Sequence, residues 1–323
     1  MAVITYAQAF FDGIHGMMAS EPSLTIIGRS ILGHGAGRGL DRKLTADFAS
    51  RIIDPPTAEG GVAALAIGAA MAGMPIFAHF GTASFALEAF NQLVNEAAVA
   101  HYMSNGQVSV PATFHMYHGV RGGGAAQHSA SPQAMFAGVA GLEVVLPSTP
   151  ADAKGLIRTA LKNDNPTIFI NHTRIMGLEG EVPDGDYAIP FGKADVKRRG
   201  IDVTAVAMSR MVHRTLEAAE IVAAEGIETE VVDPRTAAPL DSEGICASVE
   251  KTGRLVTVEE AIGPCSIASE IAATVAANAF AALKAPIVRL ARAPVPVPFS
   301  PPLEDAITPT AADIAAAIRK VMG

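Results

Sequence analysis

The sequence has no tryptophan, only 5% aromatic residues and no stripe of basic residues. Its 32 acidic residues outnumber its 24 Lys and Arg residues, which gives a formal net charge of -8 at pH 7. Proteins that bind nucleic acids neutralise phosphates with clustered cations and stack bases on aromatic rings. We therefore expect no nucleic acid among the partners of this chain.

Only two cysteines, Cys246 and Cys265, occur in the chain. They are too few for a disulfide framework, and their neighbours lack the Cys/His spacing that is typical of zinc sites. Apolar runs long enough to span a membrane, about 18 to 20 residues, are also missing, because Pro75 and His79 break the richest run. The first residues lack a basic leader followed by an apolar core, so we expect no targeting peptide, no membrane partner and a cytoplasmic location.

The composition is nevertheless apolar. Half of the residues are hydrophobic, 17% are charged, and the mean hydropathy is +0.31. With 323 residues, the chain has room for two domains that each bury a core of their own. So much apolar side-chain surface favours burial against other chains, and we expect an oligomer.

Short β-rich segments alternate with helix-length segments in both halves of the chain. This alternation predicts mainly parallel sheets that are covered by helices on both faces. A polar stretch at 177–200 interrupts it. We predict an α/β fold with two doubly wound domains, at 1–187 and 201–323, joined by a connector at 188–200. The predicted strands are 76–80, 110–116, 143–148, 167–171, 202–209, 228–234, 254–260 and 286–293, and the predicted helices are 60–73, 83–101, 150–163, 211–225, 241–251, 265–280 and 310–322.

Glu59 is the most informative single residue, because this lone carboxyl opens an almost chargeless helical segment, GGVAALAIGAAMAGM. A carboxyl held against apolar surface keeps its proton more readily and can share or donate it at neutral pH. A structural explanation is also open. Thr57 can cap the helix, and the helix dipole favours an acidic residue in the first turn.

Two loops after predicted strands hold the other candidates, because ligands of open α/β sheets bind beyond the carboxyl ends of strands. The loop YHGVRGGGAAQHSAS has three consecutive glycines that allow close backbone approach, but their spacing matches no phosphate-binding fingerprint. His128 in this loop is either a donor to a substrate oxygen or a mobile surface histidine. The loop GTASF leads to Phe85, which is either a stacking platform for a flat ring or a core aromatic.

Seven segments together form a specific pattern: EGGVAALAIGAAMAG, FNQLVNEAAVAHYMSNGQ, AAQHSAS, LPSTPADAKGLIRTALKNDNP, MVHRTLEAAEIVAAEGI, VVDPRTAAPLD and VEKTGRLVTVEE. With them the chain resembles, over nearly its whole length, the beta subunits of thiamine-diphosphate-dependent 2-oxo acid dehydrogenase first components. The segments LEGEVPDGDYAIPFG and EEAIGPCSIASEIAATVA are most similar to the acetoin dehydrogenase branch. The resemblance implies a thiamine pyrimidine-binding domain followed by a transketolase-type C-terminal domain.

The resemblance also implies an α2β2 heterotetramer with thiamine diphosphate between the alpha and beta subunits. In the family the alpha subunit holds the diphosphate and magnesium, and this chain lacks the GDG...N signature of such a site. A lipoyl acyltransferase is a further partner that the resemblance implies.

By position, Glu59 resembles the carboxyl that hydrogen-bonds the aminopyrimidine ring of the cofactor, and Phe85 resembles the aromatic that stacks on this ring. His128 resembles the loop histidine at the mouth of the site, which assists acyl transfer or positions substrate. Gly81 lies in the strand-end loop expected to border the cofactor, where relatives frequently carry Gln or Met, and Arg29 stands where they carry an acidic residue. A structural potassium ion is implied at five residues: Ala112, Ala160, Leu161, Asn163 and Asn165.

The sequence thus predicts a catalytic beta subunit that, with its alpha partner, cleaves the bond beside a carbonyl of acetoin or a small 2-oxo acid. The acyl fragment passes to a lipoyl group or another acceptor. Two alternatives stay open: a transketolase-like carbon-carbon lyase or ligase subunit without a lipoyl acceptor, and a non-catalytic scaffold subunit. The presence of Glu59, Phe85 and His128 argues against the scaffold.

Overall fold

The computed structural model describes residues 1–28 and 41–323, with side chains described from residue 43 onward after the gap. Arg29, which stands where relatives carry an acidic residue, lies outside the described residues. No helix in the described ranges is long and apolar enough to cross a membrane.

The first half of the chain contains eight strands and eight α-helices among its described residues. In chain order they are β1 (Ala2–Thr5), α1 (Tyr6–Ser20), β2 (Thr25–Ile27), α2 (Asp41–Phe48), β3 (Ile52–Ile53), α3 (Glu59–Met71), β4 (Ile76–Thr82), α4 (Phe90–Gln92), α5 (Ala100–Met103), β5 (Ala112–His118), α6 (Ala125–His128), α7 (Gln133–Ala137), β6 (Glu143–Val145), α8 (Pro150–Ala160), β7 (Thr167–His172) and β8 (Glu179–Val182).

The second half resumes the alternation of strands and helices. Its elements are β9 (Asp195–Arg198), β10 (Val203–Ala207), α9 (Arg210–Ala223), β11 (Thr229–Asp233), β12 (Thr236–Ala238), α10 (Ser242–Thr252), β13 (Leu255–Ile262), α11 (Ile267–Asn278), β14 (Val288–Arg292), α12 (Pro301–Ile307) and α13 (Ala311–Met322).

Two large, mostly parallel sheets organise these elements. Within the described residues, one has seven strands in the order β12-β6-β7-β5-β4-β2-β3, and the other has five in the order β14-β13-β10-β11-β9. In each sheet a single edge pairing is antiparallel, β12 with β6 and β9 with β11. The predicted α/β class with two doubly wound units is confirmed, while the boundary placed at 188–200 stays a prediction.

The central strands β4 and β5 are buried on both faces, because helices cover each side of the sheet. Successive side chains point to opposite faces, so alternate residues of β4 enter different cores. Ala78 and Phe80 pack in the core that includes Val62 of α3. Phe77 packs on the other face against Phe10 of α1, with ring centroids 6.2 Å apart.

Helix α3 is apolar on all sides. It buries Val62 and Ala66, but Leu65 is 47% exposed on its outer face and Met71 also lies there. The residue before its first turn is Ala58, which makes no side-chain capping bond, so Thr57 is not the N-cap. A helix that is apolar all round is expected to be covered on both sides.

The predicted single helix at 83–101 is wrong. The chain forms a 3-10 turn at Phe85–Ala89, the short α4, a π-turn at Leu93–Ala97 and then α5. Apolar spacing does not distinguish these helix types, since all of them bring residues three to five apart to one face. The change of helix type leaves Phe85 at the start of a turn rather than inside a helix.

Replacing Phe114 with Ala should destabilise the fold strongly. Phe114 lies in β5 with no exposed surface, and its ring stacks on Phe80 at 5.9 Å. Replacing a buried Phe with Ala lowers the free energy of unfolding by about 3 to 5 kcal/mol. Urea denaturation measures this loss. Phe280→Ala is the matched control, because Phe280 is 72% exposed, and it should change stability by less than about 0.5 kcal/mol. Equal losses for both variants would contradict the assignment of the core.

Candidate functional site

Phe85 and His128, singled out separately in the sequence, lie against each other. Their ring centroids are 5.1 Å apart and their planes are inclined at 79°, an edge-to-face contact. Phe85 is half-buried at the start of its 3-10 turn, and His128 is exposed at the end of α6. The loops after β4 and β5 therefore meet at one place, as expected for neighbouring parallel strands.

Gly81, near the end of strand β4 and before the loop to Phe85, has open space at its backbone. Its φ of +72° is a conformation that side chains other than glycine rarely adopt, and no atom lies within 4 Å of where a Cβ would stand. A flat ring can approach the backbone closely at such a residue.

Glu59 is half-buried at the first position of α3. The start of this helix rests on the turn that begins with Phe85, since a Cβ on Gly60 would lie 3.3 Å from the carbonyl oxygen of Glu88. This packing places the first residues of α3 beside the Phe85 turn. The roles of Glu59, Phe85, Gly81 and His128 stay predictions.

The glycine loop after β5 does cradle an anion, but the anion is a side chain of the same chain. The backbone N–H groups of Gly122, Gly123 and Gly124 donate to the carboxylate of Glu304, at 2.6, 2.9 and 3.1 Å. Arg174 also donates to this carboxylate, at 3.1 Å. Burial raises the pKa of Glu304, but the three N–H groups and Arg174 outweigh it and leave the pKa below its usual value.

A second buried carboxylate, Glu260 of β13, lies below the same loop. It accepts from the backbone N–H of Val120 at 2.6 Å and from Nε2 of His172 at 3.0 Å, and Arg210 lies 3.4 Å away. The Nδ1 atom of His172 accepts from the backbone N–H of Arg174 at 3.1 Å, so Nε2 carries the proton that is donated to Glu260. Burial raises the pKa of Glu260, but His172 and Arg210 outweigh it and lower the pKa well below its usual value.

His118, at the end of β5, completes this buried group. Its Nε2 lies 3.1 Å from Oγ of Ser209 in the second half of the chain, and its Nδ1 lies 3.3 Å from Oγ of Ser131. Burial, with a further contribution from His172, lowers the pKa of His118 to about 3. The imidazole is therefore neutral at physiological pH.

Sequence reasoning missed the residues Glu260, Glu304, His172 and His118. Their chemistry depends on partners that lie up to 182 residues away, and no local spacing indicates such pairs. The run of three glycines was the one local signal, because it pointed to a backbone that approaches another group closely.

The five residues of the predicted potassium site come from two segments that contact each other. Ala112 opens β5, Ala160 ends α8, and the backbone N–H of Val110 donates to the carbonyl of Asp164 at 3.0 Å, which joins the two segments. The side chain of Asn163 is already engaged, since it donates to Glu143 and its oxygen accepts from the backbone N–H of Asn165 at 3.2 Å. Any cation here would rely on backbone carbonyl oxygens. No cluster of three or more His, Cys, Asp or Glu side chains suited to a metal occurs in the part of the chain that the structure describes.

The buried His118 should make stability depend on pH. The folded chain keeps this imidazole neutral down to about pH 3, whereas the unfolded chain protonates it near the ordinary pKa of 6.5. The unfolded state therefore binds more protons between these values, and the free energy of unfolding should fall as the pH is lowered below about 6.5.

His118→Gln should make this slope shallower in urea denaturation between pH 7 and pH 5, because Gln takes up no proton. Ser209→Ala is the control, since it removes a hydrogen bond but leaves the imidazole. It should lower stability at every pH and keep the slope. An unchanged slope in His118→Gln would contradict the burial of a neutral histidine.

This chain is similar to known proteins over nearly its whole length. The family described as "Transketolase, pyrimidine binding domain" matches residues 2–177, and "Transketolase, C-terminal domain" matches residues 192–314. The sequence is 45% identical to "Acetoin:2,6-dichlorophenolindophenol oxidoreductase subunit beta" of Cupriavidus necator, covering 97% of this chain and 96% of that protein. It is 37% identical to the protein of the same name in Bacillus subtilis, covering 99% and 98%.

It is also 38% identical to "Pyruvate dehydrogenase E1 component subunit beta" of Rickettsia felis, covering 98% of both chains. Among solved structures, "Split gene transketolase, inactive beta4 tetramer" matches with a TM-score of 0.81 and covers 99% of this chain and 98% of that chain. At 24% identity this likeness shows the fold alone.

Proposed function

The chain belongs to the family of beta subunits of thiamine-diphosphate-dependent acetoin and 2-oxo acid dehydrogenases, and we propose that within this family it acts on acetoin or a closely related small acyloin. The observation that carries the proposal is the edge-to-face contact of Phe85 with His128, together with the open backbone of Gly81 in the strand that leads to Phe85. This arrangement offers a stacking surface, room for a ring, and an exposed imidazole within reach of what binds there.

Thiamine diphosphate is the cofactor that the family uses, and the residues present fit its pyrimidine ring. When bound, it supplies a carbon nucleophile that allows cleavage of the bond beside a carbonyl. Phe85 would offer a stacking surface for the pyrimidine ring, and Gly81 would leave the space that the ring needs. The Glu59 carboxyl would hydrogen-bond a nitrogen of that ring. His128 donates a proton to, or orients, the oxygen of the substrate at the mouth of the site.

Acetoin is favoured over pyruvate by the degree of similarity. Of the two acetoin oxidoreductase relatives compared, one is 45% and the other 37% identical, whereas the pyruvate dehydrogenase relatives compared lie between 36% and 38%. The names of the acetoin relatives include an artificial dye as electron acceptor, which makes turnover measurable without a natural acceptor. In the complete enzyme, we propose a lipoyl acyltransferase as the physiological acceptor of the acyl fragment.

The relatives are named as beta subunits, so an alpha subunit is the partner of this chain. We propose an α2β2 assembly in which the alpha subunit holds the diphosphate and magnesium, since the GDG...N signature is missing from this sequence. Exposed apolar side chains on and near α3 support such an assembly. Leu65, Met71 and Met74, and Leu87 of the Phe85 turn, are between 38% and 47% exposed.

A structural potassium ion is a further part of the proposal. Ala112, Ala160, Leu161, Asn163 and Asn165 would bind it through backbone carbonyl oxygens, and the Glu143 carboxylate beside Asn163 would add negative charge. Oxygen ligands of this kind suit a hard cation.

Glu59→Gln should lower acetoin turnover by about 10²- to 10⁴-fold, because the amide retains the shape of the carboxyl but cannot transfer its proton. The assay is dye reduction by the complex of this chain with its alpha subunit. Glu243→Gln is the matched control, since Glu243 is an exposed acidic residue in the first turn of a helix of the other unit. Co-purification with the alpha subunit should survive both changes. Near-normal turnover of Glu59→Gln would refute the role of this carboxyl.

His128→Asn should slow transfer of the acyl fragment to the acceptor more than the cleavage step. A single-turnover experiment with acetoin, run with and without acceptor, separates the two steps. We expect the step that depends on acceptor to slow by about 10²-fold or more. A chain whose turnover needs no oxidising acceptor would instead support the lyase or ligase alternative, and equal slowing of both steps would contradict a role specific to transfer.

A further inference from the structure

The carboxylate of Glu304 is a fully buried charge at the end of a Pro-rich segment. Its side chain has no exposed surface. One oxygen accepts from Gly122 at 2.6 Å and from Arg174 at 3.1 Å, and the other accepts from Gly123 at 2.9 Å and Gly124 at 3.1 Å. All four partners belong to the first half of the chain. The carboxylate is thus neutralised entirely from across the boundary between the two halves.

The loop can present three successive N–H groups to one anion only because of its backbone shape. Gly122 and Gly123 have φ of +84° and +105°, which turn consecutive amides toward the same point. In many proteins a concave backbone of this kind binds phosphate. Here Glu304 occupies it, and without the carboxylate the three N–H groups, of which that of Gly124 is buried, would lose their partner.

The shape of this loop determines where His128 lies. Gly124 is the residue that precedes α6, and the helix ends four residues later at His128. A Cβ on Gly124 would come within 2.5 Å of Oγ of Ser129, so both ends of this short helix are packed together. A shift of the glycine loop therefore shifts the imidazole relative to Phe85.

Glu304 is itself held firmly. Its own carbonyl accepts from Oγ1 of Thr308 at 2.8 Å, and the neighbouring Asp305 pairs with Arg174 at 3.0 Å. The backbone of Phe299 covers the loop from outside, with its carbonyl oxygen 3.5 Å from where a Cβ on Gly123 would stand. The segment that leads into α12 thus lies against the glycine loop.

From these contacts we propose that Glu304 is a positioning residue: its carboxylate holds the loop of Gly122 to Gly124 in the shape that places His128 against Phe85. The inference rests on the proposed function of His128 in acyl transfer. A residue of the second half of the chain thus controls the position of a histidine of the first half.

The test uses this chain in complex with its alpha subunit and compares Glu304→Gln, Glu304→Asp and Asp305→Asn. Hydrogen-deuterium exchange of the peptide covering residues 119–130 measures the loop, and acetoin turnover with dye measures its consequence. In Glu304→Gln, exchange of this peptide should rise and kcat should fall by about 10²-fold with little change in KM, as for a misplaced catalytic group. Glu304→Asp keeps the charge and should recover part of kcat. Asp305→Asn removes the ion pair between Asp305, which is 58% exposed, and Arg174 but leaves the three backbone donors of Glu304 in place, so it should lower kcat far less than Glu304→Gln.

A double variant with His128→Asn links the two residues. If Glu304 acts through His128, Glu304→Gln should lower kcat less in a His128→Asn background than in the wild type. Fully additive losses would overturn the inference, as would wild-type kcat in Glu304→Gln. Should Glu304→Gln fail to fold, Gly123→Ala replaces it, since it strains the loop at positive φ and leaves the carboxylate intact. This variant should show the same loss of kcat.

The exchange measurement separates this inference from the proposed function. If the wild-type complex has no acetoin activity, the proposed function fails, and the inference is then judged on the loop alone. Unchanged exchange in Glu304→Gln would show that the carboxylate does not hold the loop, whatever reaction the enzyme catalyses.

Discussion

The buried charge of Glu260 requires the two halves of the chain to close on each other. A carboxylate taken out of water costs several kcal/mol unless donors surround it. Glu260 belongs to the second sheet, yet the backbone of Val120 and the ring of His172, its closest donors, come from the ends of strands in the first sheet. Satisfying this charge therefore fixes the loop after β5. Because His128 lies further along the same loop, the candidate site depends on a contact that it does not itself contain.

The central strands could be predicted from sequence because their burial leaves a local pattern. Segments 76–80, 110–116 and 167–171 are apolar runs bounded by turns, and all three are strands in the structure. Edge strands are harder to predict from sequence. β12 has three residues and is antiparallel to its neighbour, and its composition does not identify it as a strand. The single helix predicted at 83–101 is wrong for another reason, because apolar spacing does not distinguish a 3-10 or π-turn from an α-helix.

Only part of the site could be predicted from the sequence, and the three consecutive glycines show why. Its residues indicated a backbone that approaches another group closely, which Gly122 to Gly124 do. They did not identify the anion, because Glu304 lies 180 residues from Gly124 and in a Pro-rich region with no recognisable motif. Phe85 and His128 were selected from separate loops with the help of a resemblance. Their contact follows from the adjacency of β4 and β5 in the sheet, because local patterns predicted parallel strands but not which strands are neighbours.

Strand β12 has a consequence for biosynthesis. It comes from the second half of the chain but pairs with β6, and the backbone N–H of Leu146 donates to the carbonyl of Arg235 at 2.8 Å beside it. A ribosome releases the first half well before residues 236–238, so the nascent sheet has an uncovered edge at β6 during this interval. Open edges of this kind pair readily with other chains. The order of synthesis thus favours a chaperone or rapid completion of the polypeptide over independent folding of the first half.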